Sequence, residues 1–125
     1  MQLMIGVYVE MDNSLYKYKI EGSEEGYYFV LYPNNSNTQA IGRSAVTYES
    51  EYDCKNALEC FRELVRREPI NQMLKFDKLS DTTWSVRLEY EGNTIFIRDI
   101  LRADGERGCK DWAKRVYENV NAGLQ

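Results

Sequence analysis

Histidine is absent from the 125 residues. With it go the commonest general base near neutral pH, the Ser-His and Cys-His nucleophile pairs, and the usual zinc sites. Cysteine is sparse, three residues with no Cys-x-x-Cys spacing, a count that suits reduced thiols better than a disulfide framework. No apolar run has the length of a membrane span, and Met1-Gln2-Leu3-Met4-Ile5 lacks the charged start and long apolar stretch of a signal peptide. A cytosolic protein with no membrane partner is the expectation. Nor is there a basic stripe: 16 Lys and Arg are scattered among 20 Asp and Glu, for a net charge of −4. A phosphate backbone finds little to hold here, so nucleic acid is a poor match. No metal, cofactor or catalytic constellation is expected.

Apolar residues make up 43% and charged residues 29%, ordinary values for a globular chain, so disorder is not indicated. At this length the chain supports one domain with a real core, residues 1–125, and is too short for two independent ones. The compositional excess is tyrosine, ten residues.

The residues around Ser50 to Leu64 return in degenerate form 55 positions later. Cys54-Lys55 matches Cys109-Lys110, Glu51 matches Glu106, Glu63 matches Glu118, and Val65 matches Val120, all without a gap. Two copies of one unit, about 16–68 and 72–122, are therefore expected to share a core.

Leu3 to Glu10 alternates as a strand, with Leu3, Ile5, Val7 and Val9 on one face, and Asp12-Asn13-Ser14 reads as the turn after it. Tyr16 to Ile20 alternates between apolar and lysine faces and is expected to form a hairpin with it. Tyr27 to Tyr32 is apolar or aromatic on both faces. Pro33-Asn34-Asn35-Ser36-Asn37 is a loop by composition, and a further strand is expected from about Gln39 to Val46. Ser50 can cap a helix whose apolar positions Cys54, Ala57, Leu58, Phe61, Leu64 and Val65 form one stripe, ended by Glu68-Pro69. The second copy has a strand near Met73–Phe76 and another from Thr83 to Tyr90, with Trp84, Val86, Leu88 and Tyr90 inward. A tight turn at Glu91-Gly92-Asn93 leads to a strand from Thr94 to Leu101. Its helix spans about Glu106 to Asn121, with Gly123 at its end. The fold class is α+β: two tandem βββα repeats on one mostly antiparallel sheet, both helices on one face, with an extra N-terminal strand at 3–10.

Tyr27-Tyr28-Phe29-Val30-Leu31, the asparagine-containing turn, Ile41-Gly42-Arg43-Ser44 and Tyr48-Glu49-Ser50-Glu51 leading into Asn56-Ala57-Leu58-Glu59 resemble the YegP-like family of small bacterial proteins of unknown function. The resemblance implies tandem strand-strand-strand-helix units on one sheet, with terminal strands exchanged between units, and transfers no active site. In the second copy Asp111-Trp112-Ala113 and the order Gly92-Asn93 depart from the family pattern, as does Ala57 in the first.

Two sets of residues are candidates for function. Tyr28, Val30 and Tyr32 lie opposite Phe29 and Leu31 on one strand, so an aromatic patch is expected on the face away from the helices, of the kind that meets a partner. Arg43 and Arg98, equivalent by the 55-residue spacing, offer two donor forks that bind an anion if they converge, and are otherwise surface arginines satisfied by glutamates. The expected role is non-enzymatic: self-association into a homo-oligomer, or binding of another protein through the aromatic face. The alternative is a small-molecule or anion binder, or an enzyme, using Arg43 and Arg98. A pocket holding both arginines favours the second, and arginines held apart favour the first.

Overall fold

Glu24-Glu25 sits between an alternating run, Tyr16 to Ile20, and a run apolar on both faces, Tyr27 to Tyr32, and the chain reverses there. The computed structural model describes residues 16–33 and 39–125, and in it β1 (Tyr16–Ser23) pairs antiparallel with β2 (Gly26–Pro33) from Tyr16–Pro33 to Ser23–Gly26. The strand expected at 3–10 lies outside the described residues, as does most of the loop after Pro33. The next strand, β3 (Gly42–Ser44), is shorter than its sequence suggests. Helix α1 (Glu51–Arg67) follows, with Ser50 accepting a 3.0 Å hydrogen bond from the Asp53 N–H, as a cap should.

A short helix not foreseen in the sequence, α2 (Ile70–Met73), follows Pro69 and leads into β4 (Leu74–Lys78). Strands β5 (Thr83–Tyr90) and β6 (Asn93–Arg102) pair around a two-residue turn, Glu91-Gly92, both with positive φ (50° and 82°). That is the conformation a tight hairpin of right-handed twist requires. Helix α3 (Glu106–Glu118) comes next. Gly123 does not simply end that helix: with Leu124 it forms β7, parallel to β1 at Lys17 and Tyr18. The Arg62 guanidinium donates to the Ala122 carbonyl at 2.6 Å, and the Gln125 N–H to that of Tyr18 at 2.8 Å, so the tail is tied to α1 and β1.

The architecture is α+β. Among the described residues, seven strands form one mixed sheet in the order β4-β5-β6-β3-β2-β1-β7, antiparallel except at β7. The centre is the β3–β6 pair, where Arg43 faces Ile97 and Ser44 faces Phe96. The ring of Phe96 is stacked with Phe61 of α1 at 4.8 Å and with Trp112 of α3 at 6.2 Å. Both long helices therefore cover the same face. One core cluster draws on both halves of the chain, from Tyr18, Phe29 and Leu58 to Val86, Trp112 and Val116. Among the described residues no helix is long and apolar enough to cross a membrane.

Candidate functional site

Strand alternation decides which side chains of the sheet look away from the helices. On β2 these are Tyr28, Val30 and Tyr32, beside Lys17, Lys19 and Glu21 of β1 and Arg43 of β3. The expected placement of the three residues on one side of the strand is therefore seen, but the surface they form has a different character. Val30 is only 3% exposed and Tyr32 only 7%, with Tyr28 half-buried. The Tyr28 and Tyr32 hydroxyls both donate to the Glu21 carboxylate, at 3.2 Å and 2.5 Å. Burial first, and then the hydrogen bond to Glu21, push the Tyr32 hydroxyl up to about 12, and burial with the Glu21 charge raises Tyr28. These tyrosines are held by a carboxylate on their own sheet and leave little apolar surface.

Arg43 and Arg98 do not come together. Because Arg43 sits opposite Ile97, the next residue along β6 projects to the other side of the sheet. Arg43 lies on the face away from the helices and meets Asp99 at 3.5 Å. Arg98 lies opposite Val86 on the helix-bearing side and donates through Nε to the Ile100 carbonyl at 3.0 Å. Equal spacing in sequence misplaces the pair by one residue, and in a strand one residue means the opposite face. The cause lies in β3: Ile41 reaches the core from just before the strand, its carbonyl taken by the Trp112 indole, so the regular alternation begins only at Gly42.

Cys54 and Cys109 are fully buried on the helix stripes, where burial raises both thiols and Glu51 and Glu106 add to the effect. Cys60 is exposed.

The concavity that does present apolar surface lies elsewhere, between α1, the β3–α1 connection and the β5–β6 turn. It has a volume of about 750 Å³ and is floored by Phe29 and Phe61. Ala57, Cys60 and Leu64 form the α1 wall, with Val46, Tyr48 and Ile95 opposite. Val46 stands 54% exposed at its mouth. The size is that of sites which take a small molecule or a partner's side chains. Burial raises the Tyr48 hydroxyl above its ordinary value, and the neighbouring cysteines reinforce this. A signal for the groove was present in the sequence. The α1 stripe of six apolar positions is wider than the sheet beneath it can cover, so Cys54, Leu58, Phe61 and Val65 are buried while Ala57 and Leu64 are left at the rim.

No protein-family model and no curated protein matches the chain. Two solved structures do. One is the solution structure of a UPF0339 protein from Shewanella oneidensis, with a TM-score of 0.65, 15% identity, and coverage of 89% of this chain and 90% of that one. The other is the solution structure of yegP from E. coli, a protein of unknown function, with a TM-score of 0.65, 12% identity, and coverage of 90% and 92%. At such identity the likeness is one of fold, and over nearly its whole length this chain has the YegP-like α+β fold.

Proposed function

We propose that the protein is a non-enzymatic interaction module, and that the groove beside α1 receives apolar side chains of a partner surface, either a second copy of the chain or another protein. The observation that carries this is the exposure of Val46 and Cys60 at the mouth of an apolar concavity whose floor is aromatic. Large apolar groups left at a concave surface are where association gains most from excluding water. The tyrosine face is the weaker candidate because Glu21 already engages both of its hydroxyls. Separation of Arg43 from Arg98 favours an interaction module over an enzyme built on that pair.

We also infer that the chain is two copies of one βββα unit. In support, three strands and a long helix occur twice in order, and the sheet is arranged about the two third strands, β3 and β6. A bacterial, cytosolic setting fits the organisms of the two similar structures and the three free thiols.

Light scattering over a dilution series, on the parent and on Val46→Asp, tests the groove. A parent dimer that becomes a monomer on substitution identifies a second copy as the partner. If the parent is a monomer, an apolar fluorescent probe should bind it and be lost from Val46→Asp. Unchanged mass together with unchanged probe binding removes the groove from consideration.

A further inference from the structure

At the end of the sheet marked by Tyr16 and the start of β3, a second concavity has the opposite chemistry. Its volume is about 530 Å³, and Arg98 and Arg102 of β6 and Arg115 of α3 line it together with Gln39, Ala40 and Ile100. Arg98 and Arg115, close enough for the charge of one to act on the other, thus line one pocket of a chain whose net charge is −4. Among the described residues, the ion pairs formed by arginines involve Arg43, Arg62, Arg67 and Arg87, and none involves Arg98, Arg102 or Arg115. Their fixed contacts are of another kind. Arg98 uses Nε on the Ile100 carbonyl, and Arg115 donates Nε to the Tyr16 hydroxyl at 2.6 Å while lying 5.5 Å from the centre of that ring. Arg98 and Arg115 are thereby oriented through Nε, with no carboxylate on the rest of either donor fork among the described residues. Burial first and the Arg115 charge second disfavour the charged form of Arg98, a cost that a bound anion would offset.

We infer that this pocket binds a phosphate monoester of a small molecule, with the phosphate held by Arg98 and Arg115. Two planar forks suit the oxygens of a dianion better than a single carboxylate, because each can donate two parallel hydrogen bonds. The pocket is larger than a bare oxyanion needs, and Ala40, Ile100 and Leu101 supply an apolar wall for the organic part.

The proposed duplication gives a reason for two pockets of such different chemistry. Cys60 and Ala45 line the apolar groove, and 55 positions on stand Arg115 and Ile100, which line the cationic pocket. The two concavities occupy corresponding places beside α1 and α3. One copy kept an apolar surface and the other became cationic.

Binding of phenyl phosphate, inorganic phosphate and benzoate, followed by two-dimensional NMR at constant ionic strength, decides the matter. Phenyl phosphate is expected to saturate, to move the backbone amides of Arg98, Ile100 and Arg115, and to bind at least tenfold more tightly than benzoate. Arg98→Gln and Arg115→Gln should each weaken it about tenfold or more. Arg98→Lys should not restore parent affinity, because a point charge replaces a fork. Arg43→Gln, on the other face, should leave binding as it is, as should Val46→Asp, so that failure of the groove reading is distinguishable from failure of this one. The same spectra report whether each variant is folded. The proposal is overturned by an absence of saturable binding to the parent, by shifts centred away from this pocket, or by folded Arg98→Gln and Arg115→Gln proteins that bind as the parent does.

Discussion

Trp112 donates its indole N–H to the backbone carbonyl of Ile41 at 2.7 Å, and this buried hydrogen bond joins the second long helix to the chain segment that enters β3. Since Phe29 and Phe61 of the first half stack on Phe96 of the second, the two halves of the protein are fastened at the sheet centre by this side-chain bond, by the β3–β6 pairing and by aromatic contacts.

Trp112→Phe keeps most of the ring and removes the donor. The Ile41 carbonyl is then left without its indole partner in the core, at a cost of about 1–3 kcal/mol. Urea unfolding should show this as a lower midpoint with an unchanged slope. Trp84→Phe is the comparison: its indole bond to the Ala103 carbonyl is longer, 3.2 Å, and only part-buried, so the loss should be smaller.

Gly42 is required for space rather than for backbone freedom. A Cβ there would lie 2.5 Å from Cε2 of Phe96 and 3.0 Å from the Ile97 carbonyl oxygen, at the joint between β3 and β6. Gly42→Ala is expected to destabilise by about 1–3 kcal/mol, through displacement of the Phe96 ring. Gly123→Ala meets nothing within 4 Å and should fall within about 0.5 kcal/mol of the parent. Thermal melts of the two variants side by side test the contrast.

Elements with a strong local signal were legible in the sequence. Ser50 and the α1 stripe fixed that helix to within a residue of its observed ends, and the alternation in Thr83–Tyr90 gave β5 correctly, because amphipathic period and capping chemistry are local properties. What could not be read depends on partners distant in sequence. β7 is two residues whose strand character comes wholly from β1, more than a hundred positions earlier. β3 spans only Gly42–Ser44, and Ile41 just before it gives its carbonyl to the indole of Trp112 on another element. The β3–β6 register, in which Arg43 faces Ile97, puts Arg43 and Arg98 on opposite faces, and no count of spacing in the chain could reveal it. The arginine that does share a pocket with Arg98 is Arg115, on a helix, and only the fold brings it there.

The hydroxyl of Tyr32 gives a stability change at alkaline pH. Its ordinary value of 10.0 is raised to about 12 by burial and by the Glu21 carboxylate, and Tyr18, wholly buried, is raised as well. Folding therefore favours the protonated phenols. The contribution is fully present below pH about 10 and is lost as pH rises toward 12, where the unfolded chain releases protons that the folded one still holds. Unfolding free energy should stay level up to about pH 10 and then fall. Glu21→Gln removes the acceptor charge, so ultraviolet titration of that variant should show two tyrosines, Tyr28 and Tyr32, ionising at lower pH than in the parent, and its alkaline loss of stability should be smaller.

The three thiols should separate cleanly in a labelling experiment. A thiol reacts as its thiolate, so both access and ease of ionisation count. Cys54 and Cys109 fail on both, being fully buried with raised values, whereas Cys60 is exposed on the wall of the apolar groove. A chromogenic disulfide at pH 8 is expected to modify one thiol per native chain quickly and the other two only as the protein unfolds, so that the slow phase reports global opening. Two fast thiols would mean that one of the helices lifts from the sheet far below the global unfolding free energy. The fast phase also reads the groove. A partner or apolar probe seated between Val46 and Leu64 covers Cys60 and must slow its modification, whereas phenyl phosphate in the pocket beside Arg115 should leave that rate unchanged. One reagent on one residue thus tells the two proposed surfaces apart.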